Sequence, residues 1–141
     1  MTTVPHIPNC FYRVSLKAII TNEHGKTLLV QEPDGRWGLP GGGLDHGEDI
    51  TTGLTREIHE ELGVAVTTIE HRPLFVWEQA RIPQNDKHYF FIGFAVQVDN
   101  FNFKVTKEAV SAQFFTPDEM KSLNLHPNIK KLPQLLTKNS S

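Results

Sequence analysis

From Tyr12 onward, apolar Tyr12, Val14, Leu16, Ala18 and Ile20 interleave with Arg13, Ser15 and Lys17. That two-residue period is the mark of a strand with one buried face. Asn22-Glu23-His24-Gly25 is turn chemistry and residues 27–31 are mostly apolar, so residues 12–32 are expected to form a hairpin. Glu32-Pro33-Asp34-Gly35-Arg36 is a second turn segment. In Trp37-Gly38-Leu39-Pro40-Gly41-Gly42-Gly43 a proline removes a donor and the glycines free the backbone, which predicts a shaped loop.

The period then lengthens. Ile50, Leu54, Ile58 and Leu62 fall on one stripe at about 100° per residue, and Gly63 stands where a helix needs a C′ residue, so residues 49–62 are expected to be helical. Residues 64–76 are β-prone with a break at Arg72-Pro73, and residues 81–87 form a polar connector. Residues 89–98 carry the strongest strand signal, with Phe90, Ile92, Phe94, Val96 and Val98 on one face. A short strand follows at 112–115, Thr116-Pro117-Asp118-Glu119 opens a helix with a cap and a first-turn proline, and a last amphipathic helix is expected at 127–136. The small polar tail, residues 137–141, is expected to fray, as are residues 1–10. The chain shows no internal repeats and no low-complexity tract.

Bulk composition narrows the class. A chain of 141 residues has room for one domain with a real core, and 38% apolar with 21% charged residues describes a globular chain. A net charge of −2 offers no basic surface for duplex nucleic acid or an anionic bilayer. The single Cys10 excludes an intrachain disulfide and a CxxC metal site. The seven histidines show neither HxH nor HExxH spacing, which argues against zinc. With no signal-like start and no membrane-length apolar run, a cytoplasmic location is expected.

The chemistry is concentrated between positions 42 and 64, GGLDHGEDITTGLTREIHEELGV. Glu48, Glu57, Glu60 and Glu61 are hard oxygen donors of the kind that hold Mg²⁺ or Mn²⁺. On the predicted helix Glu57 and Glu61 lie at the edge of the apolar stripe, with Glu60 just beyond. Their i,i+3 and i,i+4 spacing makes like charges repel by a few tenths of a kcal/mol per pair, a cost that a bound cation would remove. The alternative for such a strip is a solvated acidic helix face.

Gly42, Glu48, Arg56, Glu57, Ile58, Glu60, Glu61, Gly63 and Val64 occupy every fixed position of G-x5-E-x7-R-E-U-x-E-E-x-G-U, where U is a bulky aliphatic. This is the Nudix box, and the chain resembles the Nudix hydrolase family. The loop Trp37-Gly38-Leu39-Pro40-Gly41-Gly42 is also similar to that family's pattern. The resemblance implies an α/β/α sandwich around a mixed, partly antiparallel sheet in a single domain spanning 1–141. It also implies hydrolysis of a pyrophosphate bond in a nucleoside diphosphate-linked compound by attack of water on phosphorus, with Mg²⁺ or Mn²⁺.

By the same resemblance Glu57, Glu60 and Glu61 hold the metals with a backbone carbonyl near Gly41, and Glu57 or another acid takes the water's proton. Arg56 orients Glu57 and Glu48, and Glu48 supports the site or adds a ligand. Glu108, before Phe114-Phe115, is a further metal or base candidate, against a solvated loop glutamate. Arg13 and Lys17 on the first strand could contact phosphate or base, although a solvent-facing role is favoured. Trp77, Tyr89 and Phe91 could stack on a base, with core packing favoured. Asn128 could read a base edge, with helix capping favoured.

A nucleoside triphosphate, a dinucleoside polyphosphate and a nucleotide sugar all remain open as substrates, since fold does not choose among them. The competing class is a silent nucleotide-binding or sensing module, which would be expected to lack one or more acids; here none is missing. Prenyl diphosphate isomerisation on a similar fold would call for a cysteine, and Cys10 precedes the first strand.

Overall fold

The computed structural model describes residues 12–79, 88–104 and 106–139. Its strands are β1 (Tyr12–Ile19), β2 (Thr27–Gln31), β3 (Trp37–Gly38), β4 (Gly41–Gly43), β5 (Val66–Ile69), β6 (Phe75–Gln79), β7 (His88–Val98) and β8 (Ser111–Phe115). The helices are α1 (Ile50–Leu62), α2 (Pro117–Met120), a 3₁₀ turn at Pro127–Ile129, and α3 (Leu132–Asn139). The connector expected at 81–87, the chain start and Cys10 lie outside the described residues.

The long strand β7 organises the larger sheet. One of its edges takes β1 in parallel, Tyr12 opposite His88 through Ile19 opposite Ala95. The other edge is divided between β6, antiparallel along Tyr89 to Gly93, and β5, antiparallel along Val96 to Val98. Outside β1 lies β4, antiparallel. A second sheet runs β3-β2-β8, antiparallel throughout. The mixed sheet agrees with the expected class.

The expected hairpin at 12–32 exists only at its tip. Asn22 N–H donates to Lys26 O at 3.0 Å and Leu28 N–H to Ile20 O at 2.8 Å. Beyond that turn the two strands part, β1 into one sheet and β2 into the other. The glycine-proline segment is likewise more regular than expected. It holds β3 in one sheet and β4 in the other, with Leu39-Pro40 crossing between and Ala18 N–H donating to Pro40 O at 2.9 Å.

Strand alternation sends side chains into two cores. Leu16, Ala18, Ile20, Leu28, Val30, Phe94 and Val96 pack with Leu54, Ile58 and Leu62 of α1. On the opposite face Ile19, Leu29, Trp37, Leu39, Trp77 and Phe91 pack with Met120, Ile129 and Leu132. Both faces being covered gives the α/β/α layering. It also explains why β1 is not polar outward: Ser15 and Lys17 are buried.

The last helix is broken. Pro133 lacks the N–H that a continuous helix would donate to Ile129, so the chain makes a 3₁₀ turn and restarts with Pro133 in the first turn of α3. That helix continues to Asn139, beyond the position at which fraying was expected.

Candidate functional site

Helix α1 begins where Asp49 caps it, accepting from Thr52 N–H at 2.7 Å, and ends at Gly63 with φ 70°. With Leu54, Ile58 and Leu62 buried, Glu57 and Glu61 lie half-buried at the edge of the stripe, while the Glu60 side chain is 60% exposed. Glycines make room for the charges. A Cβ on Gly42 would come within 2.6 Å of the Glu57 carboxyl carbon, one on Gly53 within 2.9 Å of Glu48 Oε1, and one on Gly43 would run into the Arg13 guanidinium.

Arg56 gathers the acids at the loop side. Its Nε donates to Glu48 Oε2 at 2.9 Å and its Nη2 to Glu48 Oε1 at 3.0 Å, a two-pronged pairing; Nη1 reaches Glu57 Oε1 at 3.2 Å and Glu60 Oε2 at 3.4 Å. The hydrogen bonds to Glu48 raise the guanidinium's proton affinity above its already high value, and in return they hold the Glu48 carboxyl below the usual range.

Past Glu57 the character changes. A cavity of about 490 Å³ opens where the two sheets part, bounded by Lys17 of β1, Gly38 of β3, Gly41 of β4 and Glu61 of α1, with Glu108, His126 and Asn128 at its walls. Glu61 Oε1 is buried with no hydrogen-bond partner. Burial pushes its pKa up to about 7, the charge of Glu57 adds to this, and Lys17 with the Gly41 backbone works against it. Lys17 is 9% exposed and forms no ion pair among the described residues. Burial lowers its pKa against the pull of Glu61, Glu32 and Glu57.

The NUDIX domain profile matches residues 11–136. The chain belongs to the NUDIX hydrolase family. A low-salt glycan biosynthesis protein of Haloferax volcanii, Agl8, is 30% identical over 128 residues, covering 84% of this chain and 78% of that protein. A MutT protein from Methanosarcina mazei Go1 superposes with a TM-score of 0.75 at 21% identity over 92% of this chain and 96% of that one, a likeness of fold. An ADP-ribose pyrophosphatase from Streptococcus suis superposes with a TM-score of 0.65 at 26% identity, covering 92% of each chain.

Within this NUDIX site the structure brings together Arg56, Glu48, Glu57 and Glu60, and seats Glu61 with Gly41, Glu108 and Lys17 around the larger cavity. Glu108 is exposed, at the mouth of that cavity. Lys17 corrects the expected solvent-facing role, because the α3 side of the sheet is covered and its Nζ lies over the Phe91 ring, 5.9 Å from the centroid. Arg13, on the same face of β1 as Lys17, is held at the β4 end by Leu44 O at 2.7 Å and Asp45 at 3.3 Å.

Phe91 is 1% exposed and stacked between Trp77 at 5.3 Å and Tyr89 at 5.9 Å, so it packs the core and offers no face to a base. Trp77 is buried too, its indole N–H donating to Asn128 O at 2.6 Å. Asn128 is not the cap of its turn: the ring Nδ1 of His126 accepts from Asn128 N–H at 3.1 Å, and Asn128 Oδ1 is left buried without a partner. His126, Glu32 and Gln79 were not singled out by sequence. The Pro after His126 was the available signal for the first, and nothing in the local pattern marked the others.

The residues present suit a hard divalent cation, since a buried carboxylate oxygen without a donor stands one turn from a second carboxylate. Among the described residues no three His, Cys, Asp or Glu side chains converge as a ready-made cage. Glu57 and Glu60 are turned to Arg56 instead. Among those residues, too, no helix is long and apolar enough to cross a membrane.

Proposed function

We propose that the chain hydrolyses a pyrophosphate bond in a nucleoside diphosphate-linked compound, with Mg²⁺ or Mn²⁺ held by Glu57, Glu60 and Glu61 and with Glu48 in support. The observation that carries this reading is the unpartnered Glu61 carboxylate oxygen in the same cavity as Lys17, which has no ion pair among the described residues, in a chain whose NUDIX box is complete. When bound, the cations neutralise phosphate oxygens and lower the pKa of water.

The protein's own residues supply placement and charge. Arg56 fixes the rotamers of Glu48 and Glu57 through the hydrogen bonds described above. Lys17 sits where a phosphate oxygen would enter the cavity, and its burial strengthens that attraction relative to water. A new bond forms between the water oxygen and phosphorus while the bridging P–O bond breaks. The proton lost by water goes to a carboxylate of α1, Glu57 or Glu61, and the bridging oxygen leaves on the departing phosphate. Nucleoside triphosphates, dinucleoside polyphosphates and nucleotide sugars share the required linkage.

The test is a panel of these three compound types with Mg²⁺ or Mn²⁺ and chemical identification of the products. Turnover should fall on the order of 10³-fold or more in Glu57→Gln and Glu61→Gln. No metal-dependent turnover on any member, with both variants indistinguishable from wild type, would refute the proposal.

A further inference from the structure

Strands β1 and β4 pair with Ser15 opposite Gly43, and continuing that register brings Arg13 level with Asp45. Leu44 N–H still donates to Val14 O at 3.0 Å there. Arg13 is not among the walls of the larger cavity. Its guanidinium instead takes hold of the chain just after β4, where Nη1 donates to Leu44 O at 2.7 Å and Nη2 to Asp45 Oδ1 at 3.3 Å. It rests against Gly43, where any Cβ would run into it.

Asp45 passes that hold on. Its second carboxylate oxygen, Oδ2, lies 3.6 Å from Arg56 Nη2. Its backbone N–H donates to Glu48 Oε1 at 3.3 Å, and its carbonyl accepts from Glu48 N–H at 3.1 Å. A guanidinium has five N–H donors, and Glu48, Glu57 and Glu60 engage four of those of Arg56. The remaining one is on Nη2, the atom beside Asp45. One carboxylate therefore stands between two guanidinium groups that would otherwise repel each other. Side-chain exposure falls from 66% at Asp45 through 33% at Arg56 to 13% at Glu48, so this chain of contacts joins a surface loop to a nearly buried acid. Exposed ion pairs add little to stability; what these contacts set is the direction in which Arg56 points.

We propose that Arg13 and Asp45 are positioning residues of this site. Arg13 fixes the loop that carries Asp45, and Asp45 holds Arg56 and Glu48 in the orientation that places the carboxylates of α1 for the cation. Neither residue touches the substrate. The inference rests on the reading of the α1 acids as cation ligands.

The test is a double-mutant cycle on the full chain with Arg13→Met, Asp45→Ala and the two combined, read by steady-state kinetics at saturating Mn²⁺, by Mn²⁺ titration calorimetry without nucleotide, and by thermal melts. Each single variant should lower kcat about tenfold and weaken Mn²⁺ binding by a similar factor, with KM within about twofold of wild type. Because the two act through one contact, the double variant should lose no more than about twofold beyond the weaker single. Arg13→Lys, which keeps the charge and loses the fork, should recover no more than about twofold of the loss. A raised KM with unchanged kcat in Arg13→Met would place Arg13 on the substrate and overturn the inference. So would losses that multiply to about a hundredfold in the double variant, or a lowered thermal midpoint with kcat and Mn²⁺ affinity unchanged. Absence of hydrolysis across the nucleotide panel would defeat the proposed reaction while the Mn²⁺ cycle still reads the coupling, and hydrolysis with multiplying losses would do the reverse.

Discussion

At the loop side of the acidic strip, Arg56 holds Glu48, Glu57 and Glu60 by contacts of 2.9 to 3.4 Å, and each of these charges has a partner. One turn further along α1, Glu61 and Lys17 share a cavity without forming an ion pair, and the Asn128 amide oxygen on the same wall is also unpartnered. The first region is satisfied by its own side chains and keeps a fixed shape. The second leaves buried polar groups unsatisfied, which is costly unless something else enters to satisfy them. On the proposed function, geometry would be set at one end and ligand affinity at the other, with Glu57 coupled to both through its contact with Arg56 and its charge beside Glu61.

If the clamped end works through shape, disturbing shape alone should be enough to disable it. Gly42 is the place to try, because a methyl there would meet the Glu57 carboxyl carbon at 2.6 Å while the backbone has no positive φ to protect. Gly42→Ala should lower kcat on the order of 10²-fold, as expected for a catalytic group displaced by about an ångström, and leave the thermal midpoint nearly unchanged. Gly41→Ala makes the contrast, since its φ of 133° and the Leu16 backbone against it predict a loss of stability as well. Kinetics together with thermal melts on both variants checks this. Wild-type activity in Gly42→Ala would mean that the Glu57 position is not critical.

The unsatisfied end makes the opposite prediction for stability. Lys17 is a buried cation with no ion pair among the described residues, and removing such a charge should stabilise the free protein, so Lys17→Met is expected to raise the thermal midpoint. If Lys17 receives a phosphate, the same variant should raise KM by about tenfold, with a smaller change in kcat. A stabilised protein with unchanged KM would place Lys17 outside the substrate's reach and leave only the structural half of the comparison.

These two regions were unequally legible in sequence. The clamped end is local: a stripe at helical period, a cap at Asp49, a left-handed Gly63 and fixed offsets from Glu48 to Glu61 all lie within one stretch of chain, so spacing alone placed the acids. The unsatisfied end is assembled from β1, β3, β4, α1 and the turn before α3, and its parts meet only through strand pairing at long range. Lys17 looked solvent-facing because alternation on β1 says which residues share a face and not whether that face is covered. The divergence of β1 and β2 was hidden for the same reason, as a tight turn at Asn22 to Gly25 is compatible with strands that later join different sheets. The break in the last helix was missed although its cause is local: Pro133 cannot donate to Ile129, and the amphipathic period across 127–136 masked it.

The smallest expected effect is also the most diagnostic of the unsatisfied end. Glu61 has its pKa raised from 4.5 to about 7, chiefly by burial. A carboxyl whose folded pKa lies above its unfolded one contributes stability that is fully present below about pH 4.5 and is lost as pH rises through about 7. The metal-free protein should accordingly become less stable across that window, as far as this group is concerned. A divalent cation requires the carboxylate, so its binding competes with the proton: Mn²⁺ affinity should rise about fivefold from pH 6 to 7 and less than about twofold from pH 7 to 8. Glu61→Gln should bind more weakly and lose this slope. In Lys17→Met, where a neighbouring positive charge that favours the carboxylate is gone, the midpoint should move above 7. Calorimetric Mn²⁺ titrations from pH 5.5 to about 8 on the three proteins decide the matter. A profile that is flat in wild type would show that Glu61 does not hold the ion, and would assign the cation to the clamped end alone.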